Sequence, residues 1–475
     1  MSSKFHLFFL TLCIVIFVIF TPFILLYANG YKYDREEKTF IKTGSLFIDS
    51  FPTGASVIIN GQAQEGRYWL DFFSFFWRLF GSATYGGNTP TIINDILPGK
   101  YQIEIVKQGF QVWRKEATIL PNLTTRFKKI QLFFEEPELQ IIDQGEVSFF
   151  WPSPSKKKII YGIKTGSIKL LENNEINLLI DNFNFSDPKD PIYDSDEKRL
   201  IFSAKSIGEK SKEYFLLDLK NGHLLNLSEL IPSLRREGVK IKFDKDPQYL
   251  LIGLKGLLVR TDFSSKLREA IFKVNGELKD WLINGNEIEI IRQEKNDLFF
   301  EKFSLTKPDQ PIFSLKLKGG NYVFLSSPYF ILLSNGESII FVASNPSSSN
   351  EEPLIFELGG KKIVPFSKEE LLYFNDYEIQ ILYAKQEALL SPWQREIITR
   401  LSEPLEGVEF YGDWLYYLSS NKIIALEVDL SSSKNQHLLF KAKEIKDFVA
   451  PISNIIYFIG QVNGKSGLFS LKIKP

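Results

Sequence analysis

The chain has 475 residues, and its 57 Lys plus Arg are matched by 57 Asp plus Glu, so the formal charge is zero. Such a length exceeds one ordinary core and fits two or three units, and the balanced charge excludes the basic excess that nucleic acid demands. A single cysteine (Cys13) excludes an intrachain disulfide, and three histidines (His6, His223, His437) leave almost no material for a His-based metal cluster or a Ser-His-Asp triad. No catalytic residue, cofactor or metal ligand is assigned.

The first element is apolar. From Phe5 to Tyr27 the run FHLFFLTLCIVIFVIFTPFILLY carries no charged residue. As a helix with a rise of about 1.5 Å per residue, it reaches about 35 Å, enough to cross a hydrocarbon core of about 30 Å with some tilt. Pro22 stands near the distal end, where a lost backbone bond is tolerated. The competing reading is a cleaved signal peptide, whose apolar core spans about 7–15 residues before a small-x-small site. Here Leu26-Tyr27-Ala28 puts a bulky residue where a small one is needed. The expectation is an uncleaved single-pass anchor over residues 5–27, with a connector over 28–42. Lys4 before the run, and Lys32, Arg35 and Lys38 after it, do not favour export. Long following domains translocate largely regardless of such charges, and an extracytoplasmic position is expected from the units that follow.

The first soluble unit is expected over residues 43–134. In GSLFIDSFPTGASVIINGQ, Leu46 and Ile48 alternate with Ser45, Phe47 and Asp49, and Val57 and Ile59 alternate with Ser56 and Ile58. These are two strands joined through Phe51-Pro52-Thr53-Gly54-Ala55 and followed by an Asn60-Gly61 hairpin turn. Further turns fall at Asn88-Thr89-Pro90, Leu97-Pro98-Gly99-Lys100-Tyr101 and Gly109, with Ile103 and Ile105 alternating between them and a last strand near Thr125–Phe133. This spacing predicts a small all-β sandwich.

On the turn motif Pro52, Gly54, Ala55, Thr89, Pro90, Pro98, Gly99 and Gly109, with Val57, Asn60-Gly61 and Phe110, the stretch Gly44–Leu132 resembles the PEGA domain. Thr53 stands where the family's Glu would be. The resemblance implies a non-enzymatic β-sandwich of envelope proteins, often next to a membrane anchor, and transfers no catalytic residue. It also isolates an insertion over residues 62–88. There Trp69, Leu70, Phe72, Phe73, Phe75, Phe76, Trp77, Leu79 and Phe80 leave only Asp71, Ser74 and Arg78 as a polar stripe if the segment is helical. Three readings stay open for this segment: a helix packed on the protein, an interfacial membrane segment, or a docking surface for a partner. The last two make Trp69, Phe72, Phe73, Phe76, Trp77 and Phe80 the candidate contact residues.

From residue 138 to 475 short apolar strands recur between turns rich in Ser, Pro, Asp and Lys, with starts at roughly 35–45 residues, the period of four-stranded propeller blades. The turns Ser153-Pro154-Ser155-Lys156-Lys157 and Asp194-Ser195-Asp196-Glu197-Lys198-Arg199 resemble those of TolB-like propeller repeats. Eight units are counted, with seven as the alternative. The last is one strand short, so Pro137–Gly145 is expected to supply it and close the ring. The fold expected is thus an all-β soluble region, a small β-sandwich plus a seven- or eight-bladed β-propeller, behind one transmembrane helix.

Few residues invite chemistry. Asp194, Asp196 and Glu197 form an acidic turn, expected to be solvated because it lacks the Gly and distal Glu of a calcium loop. His223 and His437 are expected to be exposed turn residues. Asn122-Leu123-Thr124 and Asn226-Leu227-Ser228 match the short glycosylation pattern. The functional expectation is a membrane-anchored, extracytoplasmic scaffold that contacts the bilayer and binds an envelope protein or glycan through its propeller, with no role for nucleic acid. The rival is a propeller hydrolase or lyase acting on envelope polysaccharide, which close acidic groups in the central channel would favour.

Overall fold

The computed structural model describes residues 3–34, 38–63, 87–206, 211–262, 268–325, 331–343, 354–360, 362–365, 370–384, 393–428, 434–452 and 454–475. Ser3–Ala28 is one helix, and its stretch His6–Leu26 is long and apolar enough to cross a bilayer, with no buried residue in its most apolar window. The hydroxyls of Thr11 and Thr21 donate to the carbonyls of Leu7 and Phe17, one turn back, at 2.8 and 2.6 Å. Its few polar groups are thereby satisfied within the helix, as an apolar surrounding requires. A hairpin of Tyr31–Asp34 and Thr39–Lys42 follows, with the Phe40 ring 6.4 Å from Phe23. The Thr43 amide and hydroxyl both donate to the Gly30 carbonyl, at 2.8 and 2.9 Å, and tie the helix exit to the first strand of the sandwich.

That sandwich has two sheets. In one, Gly44–Phe51 lies between Thr91–Ile96, antiparallel, and Thr124–Gln131, parallel. In the other the order is Gln62–Ala63, Ser56–Ile59, Gly99–Val106 and Trp113–Ile119. The alternation read from the sequence sets which faces meet: Leu46, Ile48, Val57, Ile59, Ile103 and Ile105 are buried together with Trp113 and Ile119. Asn60 and Gly61 both take positive φ, 48° and 76°, forming the two-residue loop that pairs Ile59 with Gln62. Three of the turn-motif residues, Gly54, Ala55 and Thr89, converge in space. Gly54 N donates to the Thr89 carbonyl (2.7 Å), Thr89 N to the Ala55 carbonyl (2.9 Å), and Ala55 N to the buried Thr89 hydroxyl (3.1 Å). Leu97-Pro98 carries the chain from one sheet to the other before Gly99 opens the next strand. Gly109 turns back at φ 79°.

Beyond residue 137, eight four-stranded antiparallel sheets stand among the described residues, seven of them simple meanders in chain order. The eighth takes three strands from the end of the chain (Glu444–Ile452, Ile455–Val462, Lys465–Lys472) and its outer strand from Glu138–Gln144. This is the closure that the missing strand called for. Eight buried apolar clusters alternate with the eight sheets, each drawing from two successive sheets. The last joins Val449, Tyr457 and Ile459 to Phe150, Ile159 and Tyr161 of the first sheet, so the ring is complete. These sheets are the blades of an eight-bladed β-propeller. Packing on both faces explains the unbroken apolar second strands: every residue of Trp414–Ser419 is buried.

In the acidic turn Asp196 is exposed, as expected of a solvated loop, but Asp194 is not. Asp194 is buried, and its carboxylate accepts from Lys198 N (2.7 Å), Arg199 N (3.1 Å) and Arg199 Nε (3.1 Å). Three donors converging within five residues close the turn at the point where a free carboxylate could not be desolvated. Glu197 accepts from Ser155 N (2.6 Å), linking the turns of the first two blades.

His437 is a second correction, for it is buried between sandwich and propeller, on the strand Gln436–Lys441; His223 is exposed, as expected. Gln111 Nε2 donates to the carbonyls of Phe134 and Leu438 (3.2 and 2.9 Å), which leaves its Oε1 to accept from His437 Nδ1 at 3.0 Å. Beside it Arg114 N donates to Asn435 Oδ1 (2.7 Å), and buried Lys115 lies 3.5 Å from Glu427. Burial pushes the His437 ring down to about 4 from an ordinary value of 6.5. The folded state therefore resists a proton that the unfolded state takes up, so stability is full above pH ~6.5 and is lost as the pH falls toward 4, by up to about 3 kcal/mol. Chemical denaturation from pH 7 to 4 should show this loss in the native chain, and His437→Gln should lose less over the same window. Parallel curves would contradict the assignment.

Candidate functional site

The first strands of successive blades lie innermost and line the hub. Lys240–Phe243 opens the third blade, and within it Lys240 and Lys242 alternate about the buried Ile241, so both ammonium groups emerge on one face. The neighbouring inner strands are Phe185–Tyr193 of the second blade and Glu277–Asn284 of the fourth. The former is bulged twice, and Asp187 and Asp190 have φ of 55°. Such bulges re-aim side chains, and here Asp190 lines the same cleft as the two lysines.

This cleft has a volume of about 930 Å³ and sits at the hub end where the inner strands begin. Its roof is the end of the connection from the second to the third blade, from Leu234 in the 3₁₀ turn Pro232–Arg235 to Val239, and its flank is the hairpin end bearing Lys205 and Lys212. Six basic side chains line it (Lys205, Lys212, Arg235, Arg236, Lys240, Lys242) against three carboxylates (Asp190, Glu237, Asp280), with Ile192, Leu234, Val239 and Tyr214 between them.

Asp280 is the buried centre of the site. Its carboxylate accepts from Trp281 N (2.9 Å) and Phe324 N (2.9 Å) and pairs with Lys242 at 2.7 Å, while Lys240 stands farther off at 3.9 Å. Lys242 also donates to the Trp281 carbonyl (2.6 Å) and lies over the indole, 5.1 Å from its centroid. The Trp281 ring occupies the space beside Gly253, where an added Cβ would come within 2.3 Å of it. Burial lowers the Lys240 pKa, and Asp280 compensates only in part because Lys242 shares it.

The other charges of the cleft are held more evenly. Asp190 accepts from Lys212 (2.8 Å) and Ser203 (3.1 Å). Burial raises its pKa, but these donors outweigh burial and hold it below the usual range, while Lys212 is raised in turn. Behind the cleft, buried Glu213 accepts from Arg235 (2.6 Å), Asn226 (3.2 Å) and Ser206, and these donors overcome its desolvation to keep it ionised. At the opposite end of the hub, Lys156, on the first turn of the first blade, reaches the Glu409 carboxylate of the seventh.

None of the cleft residues stands out in the sequence. The one available signal is the pair of lysines alternating in KIKF, but which strand faces the hub is set by blade order and not by local pattern. The six aromatic candidates Trp69, Phe72, Phe73, Phe76, Trp77 and Phe80 lie outside the described residues. Of the turn motif, Gly54, Ala55 and Thr89 are hydrogen-bonded together, while Pro98, Gly99 and Gly109 stand at other turns of the sandwich. Among the described residues the hub is not purely apolar: Asp190 and Asp280 each hold a lysine, and on the inner strands of the seventh and eighth blades burial, with the nearby charge of Glu409, raises the pKa of Asp447.

The PEGA domain family matches residues 81–132, the part of the sandwich from the end of the insertion to the last strand. No curated protein matches the chain. Among solved structures, the WD40 domain of Sif2 is similar at 13% identity and a TM-score of 0.45, over 72% of this chain and 99% of that one. BamB from Moraxella catarrhalis is similar at 7% identity and a TM-score of 0.43, over 71% of this chain and all of that one. TolB from Acinetobacter baumannii is similar at 12% identity and a TM-score of 0.29, over 55% of this chain and 57% of that one. The segment 81–132 is thus similar to the PEGA domain, within a β-sandwich that has an apolar helix before it and a β-propeller after it.

Proposed function

We propose that this is a membrane-anchored, extracytoplasmic binding protein, in which the helix Ser3–Ala28 holds the sandwich and propeller at the bilayer and the propeller holds an envelope partner at its cleft. One observation carries the reading: a large cleft, open at one mouth of the hub and lined by inner strands of three blades, in which Asp190 and Asp280 are engaged by lysines. Pockets of about 300–1,000 Å³ with a few convergent polar groups are the usual form of a ligand site. Within this cleft, Asp190 and Asp280 are committed to Lys212 and Lys242 rather than free to give or take a proton.

Photo-crosslinking in native membranes tests this reading. A photoreactive residue in place of Arg236, on the cleft rim, should capture a discrete envelope component. The same residue in place of Asn221, at the far end of the strand Lys212–Asp218, should not. That strand spans roughly 20 Å at about 3.3 Å per residue, beyond the reach of one crosslinker. Equal capture at both positions, or none at Arg236, contradicts the reading.

A further inference from the structure

Among the described lining residues, the cleft carries more cations than anions. Of its six cations, Lys212 is neutralised by Asp190, Lys242 by Asp280, and Arg235 from behind by Glu213. Lys205, Arg236 and Lys240 then face only Glu237 among the described lining residues, an excess of two positive charges (three minus one). Lys205 and Arg236 stand exposed at the rim, and Lys240 is half-buried at the hub. Asp280 spends its acceptor capacity on two backbone amides and on Lys242, so Lys240, half-buried on the inner strand, reaches it only at 3.9 Å, beyond hydrogen-bond range. An ammonium in this position has lost part of its hydration and holds only a distant partner, and an anionic group placed against it would restore what burial removed.

The lining between the charges is apolar. Ile192, Leu234 and Val239 present aliphatic surface, and Tyr214 is fixed by its hydroxyl donating to the Val239 carbonyl at 2.9 Å. A bare inorganic ion would leave this surface and most of the volume unused. A ligand with C–H faces and acidic groups spaced along it would use both.

We propose that the cleft binds an acidic oligosaccharide, one acidic group meeting Lys240 at the hub and a second meeting Lys205 and Arg236 at the rim, with the sugar rings against Ile192, Leu234 and Val239. The proposal rests on the reading of the propeller as a ligand-binding module and names the class of ligand. It requires no covalent step and no cofactor.

The test is calorimetric titration of the full chain in detergent with three probes: a uronic-acid tetrasaccharide, a neutral tetrasaccharide of the same length, and inorganic tripolyphosphate. The expected result is one-to-one binding of the acidic sugar, weakened in 0.5 M salt, and no binding of the neutral one. Lys240→Ala, which removes a charged donor, should weaken the acidic sugar about tenfold or more. Arg236→Ala, on the exposed rim where folding is not at stake, should weaken it by a smaller factor. Three outcomes overturn the proposal: an acidic sugar that binds no better than the neutral one, an affinity unchanged in both variants, or tripolyphosphate binding as tightly as the sugar, which would mark a general anion exchanger. If these fail while a crosslink at Arg236 is still captured, the cleft binds something other than an acidic glycan and the binding reading stands. If the crosslink fails as well, both fall.

Discussion

Replacing Phe133 with alanine is expected to cost about 3–5 kcal/mol of stability, the range for removing a large aromatic side chain from a packed interior. Phe133 lies between the last strand of the sandwich and the strand that closes the propeller, and it has no exposed surface. Its ring meets Trp414 edge-on, with centroids 4.8 Å apart, and lies within 6.3 Å of Tyr416 and 5.5 Å of His437. Its carbonyl accepts from Gln111 N at 2.9 Å, and the next amide, Phe134 N, donates to Ile473 at the same distance. The one residue therefore belongs to the core of the last two blades while its backbone is pinned from the sandwich side. Its loss should do two things at once: lower the denaturation midpoint, and expose the segment around residues 132–137 to protease. Phe133→Leu, which keeps most of the volume, should lose clearly less. A cost below about 1 kcal/mol with unchanged protease resistance would show that the two units are joined by the chain and not by this packing.

Asp280→Ala should be comparably severe, at about 3–5 kcal/mol, because it breaks a buried ion pair from one side. Without the carboxylate, Lys242 keeps only the Trp281 carbonyl and the face of the indole, Lys240 has no counter-charge at the hub, and the amides of Trp281 and Phe324 lose their acceptor. Asp280→Asn preserves the shape and one acceptor oxygen, so it should fall between alanine and the native residue. Urea denaturation of the three proteins checks the order. Equal stability of Asp280→Ala and the native chain would mean that the cleft is open enough for water to replace the carboxylate, and the excess positive charge inferred at Lys240 would lose its basis.

Much of the architecture is legible in the sequence because it rests on local, repeating constraints. Alternation at Leu46/Ile48, Val57/Ile59 and Ile103/Ile105 assigns the buried face of the sandwich before any strand pairing is known. Asn60-Gly61 fixes a hairpin because two successive positive φ values are needed there. The shortfall of one strand at the C terminus anticipates the pairing of Glu138–Gln144 with Lys465–Lys472. The cleft is another matter. Lys240, Asp280 and Asp190 come from three blades, at separations of 40 and 50 residues, and only closure of the ring makes them neighbours. The errors have a related cause. Asp194 and His437 sit among polar residues, where local composition reads as solvent, but Asp194 is held by the turn it closes and His437 by a second unit more than 300 residues distant in sequence.

The account as a whole depends on the helix being retained and embedded. Carbonate extraction of membranes from cells producing the full chain, beside a version starting at Gly30, measures this directly. The full chain should stay in the membrane pellet at its full length, and the shortened chain should move to the soluble fraction with its β units folded. Recovery of the full-length gene product in the supernatant, or trimmed of its apolar helix, would contradict the account.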